Sequence, residues 1–390
     1  MLSPGLRLMR LSLTGFRTYP ALTWRPEATL IVVTGPNGAG KTNLLEAISL
    51  LAPGRGLRGA KIAGVLRDGS PAWAVNGRFD TPEGPVDIGT GTPPDGAEDR
   101  RVFRLDGVAP RNQSEVAARI ACVWLTPQMD RLFQEGMSGR RRFLDRLVFA
   151  FEPSHAREIA AYETAMTGRG RLLAESRADL SWLAGLEDAM ARHAVAATAA
   201  RASVIARLNA APADGAFPAA RLALVCPIGD HLAGHPALET EDWLRARLAE
   251  SRPRDAASGS AAHGAHRADF AIADAATGLP AAHGSTGQQK ALLLGLILGH
   301  ARLLAESRGF APLLLLDEPL VHLDAARRAA LFDTLSRLPV QCFLTGTDVA
   351  PFADLAGVAV GYSVDTSSGE ARLEPDPVLP LPMAFGGQID

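Results

Sequence analysis

Two textures alternate along the 390-residue chain. Residues 6–13 alternate apolar and polar side chains, the period of a half-buried strand. Gly15-Phe16-Arg17-Thr18-Tyr19 follows as a loop. Residues 30–33 form an unbroken apolar, mostly β-branched run that predicts a buried strand, and residues 41–51 predict the helix after it. Between 71 and 105, short alternating runs (72–79 and 102–105) are interrupted by Gly, Pro and Asp. With the turn signal Asp106-Gly107 they predict an antiparallel sheet. Residues 121–125 predict another strand. From Met129 the period becomes helical: 140–150, 155–174 and 180–208 carry apolar residues at i, i+3, i+4. The last two predict an antiparallel helical hairpin, with no heptads sustained enough for an extended coiled coil. Residues 211–218 break the helices, 221–226 predict a strand and 241–250 a helix. The Pro/Ala/Ser/Gly-rich 251–264 predicts a mobile connector. Strand and helix patterns then return: strands at 268–272, 313–316 and 341–344, helices at 287–307 and 325–338. The Pro-rich tail from Asp365 is expected to fray.

This succession predicts an α/β protein split by a helical insertion. Its parts are 1–126, an insertion lobe at 127–262, a second α/β part at 263–365, and a tail at 366–390. A hydrophobic content of 47% with 21% charged residues is that of a globular protein. The net charge of −2 excludes a uniformly basic nucleic-acid binder, so any such contact needs a local patch. The best patch is Arg140, Arg141, Arg142 and Arg146. It reads either as phosphate-backbone contact, salt-sensitive and sequence-blind, or as a solvated helix start pairing with Asp145 and neighbouring acids. Cys122, Cys226 and Cys342 are widely spaced in apolar surroundings, as buried thiols of a reducing compartment are. His263, His266 and His283 lack zinc-site spacing. Arg7, Arg10 and Arg17 interrupt any signal-peptide core, and the longest apolar run, 291–299, is far short of a membrane span. A cytoplasmic protein without a membrane partner is expected.

The chemistry centres on Gly35-Pro36-Asn37-Gly38-Ala39-Gly40-Lys41-Thr42, which fits G-x-x-x-x-G-K-[ST] between a strand and a helix. Glycines let successive N–H groups point inward as an anion nest, and the helix adds the positive end of its dipole. Lys41 would reach the β/γ-phosphates of ATP, and the Thr42 hydroxyl would meet Mg²⁺. Leu313-Leu314-Leu315-Leu316-Asp317-Glu318-Pro319 has the form of a Walker B element. Four leucines suit a central parallel strand, Asp317 is the second Mg²⁺ contact, and Glu318 is placed to orient and deprotonate water. Ser285-Thr286-Gly287-Gln288-Gln289-Lys290 opens the helix before that strand. By itself it is an ordinary N-cap or a second phosphate site.

The order of phosphate loop, insertion, Ser-x-Gly-Gln, Asp-Glu and His322-Leu323-Asp324 resembles the ABC ATPases. There the signature Ser and Gly contact the γ-phosphate held by a partner subunit. The interval from Thr42 to Ser285 is too long for a transport ATPase and lacks the coiled coils of SMC proteins. With Phe16-Arg17-Thr18-Tyr19, Arg140-Arg141-Arg142-Phe143-Leu144-Asp145-Arg146 and His266-Arg267-Ala268-Asp269, nearly the whole chain resembles the RecF family of bacterial recombination and repair proteins. Thr18 stands where that family usually has Asn, and Ala265 where it has Pro. The resemblance implies an ABC-type P-loop ATPase head: a mixed sheet with helices, an antiparallel β part and an inserted, mainly helical lobe. It implies ATP and Mg²⁺ held by Gly35 to Thr42, Asp317, Ser285, Gly287, Gln288 and Asp324. Phe16-Arg17 reads either as core plus surface charge or, by the resemblance, as a contact near the phosphates. It also implies slow, DNA-stimulated hydrolysis and an ATP-dependent homodimer on single-stranded, double-stranded or gap-junction DNA. RecO and RecR are the implied partners in recombinase loading, in replication-coupled repair and the SOS response. A defence-type or SMC-like ATPase sharing the head, or a transport ATPase subunit, are the alternatives.

Overall fold

In the computed structural model, which describes residues 5–26, 28–96, 100–175, 179–212, 217–366 and 370–380, the short apolar runs become strands and the 3.6-period stretches helices. In chain order, β1 (Arg7–Phe16), β2 (Tyr19–Trp24) and β3 (Leu30–Thr34) lead to α1 (Lys41–Leu51). β4 (Ala74–Asp80), β5 (Val86–Gly91), β6 (Val102–Leu105), α2 (Gln113–Arg119) and β7 (Cys122–Leu125) follow. Next come α3 (Met137–Phe151), α4 (His155–Leu173), α5 (Leu180–Ala210) and β8 (Ala220–Val225). α6 (Pro227–Leu232), α7 (Ala237–Glu250), α8 (Arg252–Ser258) and β9 (Asp269–Asp274) complete the middle of the chain. Last are α9 (Thr286–Arg308), β10 (Leu313–Leu316), α10 (Ala325–Arg337), β11 (Cys342–Gly346), β12 (Val360–Asp365) and β13 (Arg372–Pro375).

The chain forms two compact units. One comprises Met1–Asp130, Ala213–Pro218 and Ser285–Asp390, the other Arg131–Pro212 and Ala219–Gly284. The first holds an antiparallel sheet, β2-β1-β4-β5-β6, and a mixed sheet, β13-β12-β3-β11-β10-β7. In the mixed sheet β7, β10, β11, β3 and β12 run parallel, and β13 joins β12 antiparallel. β3 and β10 are buried along their whole length, as strands of a sheet covered on both faces are. α1 is buried almost all round, because its Leu44, Leu45, Ile48 and Leu51 share one core with side chains from both sheets.

Several expectations need correction. The loop expected at 15–19 is a two-residue hairpin turn, Arg17 and Thr18, inside continuous β1–β2 pairing. Asp106 and Gly107 both have positive φ, +48° and +80°, the geometry of a two-residue hairpin turn. Beyond that turn the chain makes a single bridge, Leu105 to Val108, and no return strand. The tail from Asp365 contains β13, and Leu379 is buried with its carbonyl accepting from Gly361 N–H at 2.8 Å. Residues 381–390 lie outside the described residues, as do 213–216 of the predicted helix break.

The second unit is helical apart from the β8–β9 ribbon. Its start at Arg131 is close to the expected 127, but its end at Gly284 is well past the expected 262. Residues 263–284 belong to it because β9 pairs along its full length with β8. α4 and α5 form the predicted antiparallel hairpin: Glu158 meets His193 at 2.7 Å and Arg169 meets Glu187 at 2.9 Å. Half of the stretch expected as a connector is helix α8, and the reason is a buried charge. Arg169, 1% exposed, donates to Glu187 at 2.9 Å, to Asp255 of α8 at 2.8 Å and to the Leu248 carbonyl at 2.7 Å. Asp255 also accepts from Ser251 Oγ and from Ala262 N–H.

Removing one member of such a network leaves the others charged and dry. Arg169→Met is expected to cost about 3–5 kcal/mol, read as a lower urea midpoint for unfolding of the helical unit. ATP binding at low urea should persist. An unchanged midpoint would mean that Asp255 and Glu187 find water or Arg252 instead.

Candidate functional site

The phosphate loop is shaped by three glycines at positive φ. Gly35 has φ +143°, and a Cβ on it would stand 2.6 Å from the Val364 carbonyl oxygen. Gly40 has φ +113°, and its Cβ would lie 2.6 Å from Thr18 Oγ1. Gly38, φ +83°, faces open space. α1 starts at Gly40 with no side-chain cap on its first N–H groups. A buried helix with an uncapped N-terminus under a glycine turn has the donors and the dipole that a phosphate needs.

Lys41 is 4% exposed and folds over its own loop, donating to the carbonyls of Gly35 (2.7 Å) and Pro36 (2.9 Å). Burial lowers its pKa, and the carboxylates of Glu318 and Asp317 work against that. Thr42 Oγ1 lies 3.0 Å from both oxygens of Asp317. Residues 275 positions apart thus meet at the carboxyl ends of parallel strands, where open α/β sheets bind ligands.

The turn between β1 and β2 buttresses the loop. Tyr19 OH donates to the Gly40 carbonyl at 3.2 Å, and Asn43 Nδ2 donates to Thr18 Oγ1 at 3.0 Å. Phe16 is wholly buried in the core. Arg17 reaches α1, forking onto the buried Glu46 at 3.0 and 2.8 Å, and also binds the Gly64 carbonyl. Its guanidinium holds a helix in place and leaves the phosphate loop to Thr18, Tyr19 and Asn43. Glu46 carried no sequence signal beyond being an acid in an otherwise apolar helix.

Asp317 and Glu318 follow β10 as predicted. Asp317 N–H donates to the Leu125 carbonyl at 2.9 Å, the last bond of that ladder. Glu318 has φ +50°, unusual for a residue with a side chain. Thr345, at the end of β11, donates to Asp317 Oδ1 at 2.7 Å and accepts from Glu318 N–H at 2.9 Å. Its residue type and position in sequence did not single it out. The available signal was a threonine closing an apolar strand.

Ser285 caps α9: its hydroxyl accepts from Gln288 N–H at 3.3 Å, and Gln288 Oε1 accepts from Ser285 N–H at 2.8 Å. Ser285, Thr286 and Gln288 are exposed, whereas Gln289 and Lys290 are buried, Lys290 on Asp130 at 2.9 Å. Gly287 lies against the His322 carbonyl, which a Cβ would approach to 3.1 Å. Asp324 caps α10 by accepting from Arg327 N–H at 2.8 Å. The structure therefore gives Ser285 and Asp324 capping bonds, and brings Lys41, Thr42, Asp317 and Glu318 together.

The arginine patch is mostly spent on protein. Arg140 forks onto Asp269 at 2.8 and 2.7 Å, and Arg141 donates to the Ala268 carbonyl at 3.2 Å. Arg146 lies over the Phe143 ring, 5.0 Å from its centre. Asp145 pairs with Arg201 (2.7 Å) and His155 (2.8 Å). Only Arg142 of the four is exposed. His266 stacks on Tyr162 and has its Nδ1 2.5 Å from the Tyr162 hydroxyl, while Nε2 lies 3.0 Å from the Ala261 carbonyl. A carbonyl can only accept, so Nε2 carries the proton and Nδ1 accepts from Tyr162. Burial lowers the His266 pKa, in keeping with that neutral ring. Arg267 binds Ala261 and Ser260, so both residues fasten a loop.

Magnesium takes oxygen ligands, and at nucleotide sites it takes one or two from protein and the rest from phosphate and water. Thr42 and Asp317 fit that requirement. Among the described residues no cluster of three or more His, Cys, Asp or Glu is placed to hold a metal, and no helix is long and apolar enough to cross a membrane.

Residues 30–98 match a family described as "AAA domain, putative AbiEii toxin, Type IV TA system". A structure of "the recombination mediator protein RecF-ATPrS in RecFOR pathway" superposes with a TM-score of 0.83 over 95% of this chain and 99% of that one, at 22% identity. An Smc head domain from Pyrococcus furiosus gives a TM-score of 0.54 over 95% of this chain and 96% of that one, at 14% identity. These two likenesses establish the ATPase-head fold. The DNA replication and repair protein RecF of Mesorhizobium japonicum is 45% identical over 92% of this chain and 96% of its own length. That of Rhizobium meliloti is 46% identical over 91% and 96%. Identity of that extent runs through both units as well as the phosphate loop, and the chain belongs to the RecF family of DNA replication and repair proteins.

Proposed function

We propose that the protein is an ATP-driven DNA-binding protein of recombinational repair. It hydrolyses ATP and water to ADP and phosphate slowly and closes as a homodimer on gapped or junction DNA. With RecO and RecR it promotes recombinase loading. The observation that carries the reading is the bond between Thr42 and Asp317, which joins the phosphate loop and the Asp-Glu strand in one site.

In this mechanism the loop N–H groups and Lys41 bind the phosphates. Thr42 and Asp317 would hold Mg²⁺, which would neutralise phosphate charge. Glu318 accepts a proton from the attacking water. Ser285, exposed at the start of α9, completes the site of a second copy. A hydroxyl that accepts one bond still has its proton to donate, so its capping role is compatible with contact to a partner's γ-phosphate. ATP then acts as a timer: binding closes the dimer, and hydrolysis opens it.

The test is binding to gapped, duplex and single-stranded DNA at several salt concentrations, with and without ATP. ATP should tighten binding to gapped DNA in the wild type and not in Lys41→Ala. Arg142→Ala should flatten the plot of log affinity against log salt by about 0.9 for each duplex phosphate that the guanidinium neutralises. Arg142 alone is changed, because Arg140 and Arg141 are bonded to Asp269 and the Ala268 carbonyl. The match of residues 30–98 to a toxin–antitoxin ATPase domain favours one other reading, a defence ATPase on the same head. Equal, ATP-independent affinity for all three DNAs would favour it.

A further inference from the structure

We propose that Thr345 is a positioning residue for hydrolysis, holding Asp317 and Glu318 in register through one hydroxyl. The inference rests on Glu318 being the group that activates water. β11 lies between β3, which leads into the phosphate loop, and β10, which leads into Asp317. A side chain at the carboxyl end of β11 therefore stands between the two halves of the site. Thr345 is fully buried there.

Its hydroxyl has one proton and two lone pairs. The proton goes to Asp317 Oδ1 at 2.7 Å, and a lone pair takes Glu318 N–H at 2.9 Å. That second bond falls where the strand ladder stops. Asp317 N–H is still paired with the Leu125 carbonyl, whereas Glu318 N–H has turned out of the sheet at φ +50°. A residue with a Cβ keeps that conformation only when its surroundings impose it. Thr345 is the group that accepts its N–H.

Asp317 has a second hydroxyl donor, Thr42, but Thr42 belongs to the phosphate loop and is needed by the metal. Thr345 orients Asp317 independently of the nucleotide. Glu318 and Thr345 also line a cavity of about 180 Å³, with Thr347, Asp348 and Phe352 among its other walls. That is room for several waters. Fixing the Glu318 backbone fixes the direction in which its side chain leaves the end of β10.

The experiment compares full-length wild type, Thr345→Val, Thr345→Ser, Glu318→Gln and the double variant Thr345→Val/Glu318→Gln. Single-turnover hydrolysis, binding of a fluorescent ATP analogue and thermal melting are measured on each. Thr345→Val keeps the branched shape and loses the hydroxyl. It should lower the hydrolysis rate about 10–100-fold while changing analogue affinity by less than about three-fold, the pattern of an interaction that matters only in the transition state. Thr345→Ser should recover most of the rate. In the Glu318→Gln background the Val change should have little further effect, because residues acting as a unit are not additive.

Wild-type hydrolysis by Thr345→Val overturns the proposal. So does an equal fall with and without Glu318, or a fall that Ser does not rescue. If Thr345→Val does not melt cooperatively, Thr345→Ser against Thr345→Ala makes the same comparison, since those two differ only by the hydroxyl. Should Glu318→Gln itself hydrolyse like wild type, it is the water-activating role of Glu318 that fails, separately from any effect of Thr345.

Discussion

Glu318→Gln is expected to cut ATP turnover by about 10³-fold, within the span that a positioned general base contributes, and to leave nucleotide binding in place. Gln has the size of Glu and hydrogen-bonds as well, but it takes no proton from water. The groups proposed to hold the nucleotide are not altered: Lys41 on its loop, and Thr42 with Asp317, 3.0 Å apart in the wild type. ATP should therefore bind without being consumed, and the proposed ATP-closed dimer should accumulate. Size exclusion with ATP should show more dimer for the variant than for wild type. A wild-type rate, or an unchanged dimer fraction, would count against the role. A pH effect accompanies the change. Burial already lowers the Lys41 pKa, and Glu318 is the first of two carboxylates that raise it. Removing that carboxylate lowers it further, so the ammonium loses its proton at lower pH. On the alkaline side the variant should lose ATP affinity before wild type does.

What could be read from sequence is what local chemistry decides. α1 runs from Lys41 to Leu51 as expected because glycines end the loop before it and an apolar run fills it. β10 is four leucines and nothing else. α8 is not legible because Arg252-Pro253-Arg254-Asp255 looks like a linker; a helix of seven residues depends on the tertiary pairing of Asp255 with Arg169, 86 positions away. β13 is hidden for a similar reason, since Arg372–Pro375 is a strand only by virtue of β12 beside it.

The site divides the same way. Lys41, Thr42, Asp317 and Glu318 announce themselves by residue type and spacing. Thr345 does not, because its role exists only once β11 is inserted between β3 and β10, an ordering no local window contains. The arginines at 140–142 show the converse. Their clustering is plain in sequence, yet the partner that occupies Arg140 is Asp269, 129 positions on. Charge runs report composition; only the fold tells which charges remain for a ligand.

Ser285 lends itself to the most demanding test, because its reading as a trans contact predicts activity from two inactive proteins. A Lys41→Ala chain lacks its phosphate contact, and a Ser285→Arg chain blocks the site of whichever copy faces it. Each forms dead homodimers. In a mixed dimer one site carries both lesions, while the other joins an intact phosphate loop to an intact signature. Random pairing makes about half of the dimers mixed, each with one good site of two, so roughly a quarter of wild-type ATPase activity should return. A site built within one chain gives no rescue, since each chain keeps its own defect. Exchange of subunits is shown independently by pulling down a tagged partner. With exchange proven and activity still absent, titration of wild type with the Lys41→Ala chain separates the remaining explanations. Independent sites lose activity linearly with the dead fraction. Sites that must fire together lose it as the square of the wild-type fraction, and then the mixed dimer is silent although Ser285 acts in trans. A linear loss without rescue would place Ser285 in its own chain's site, or leave it with the capping role it already has at α9.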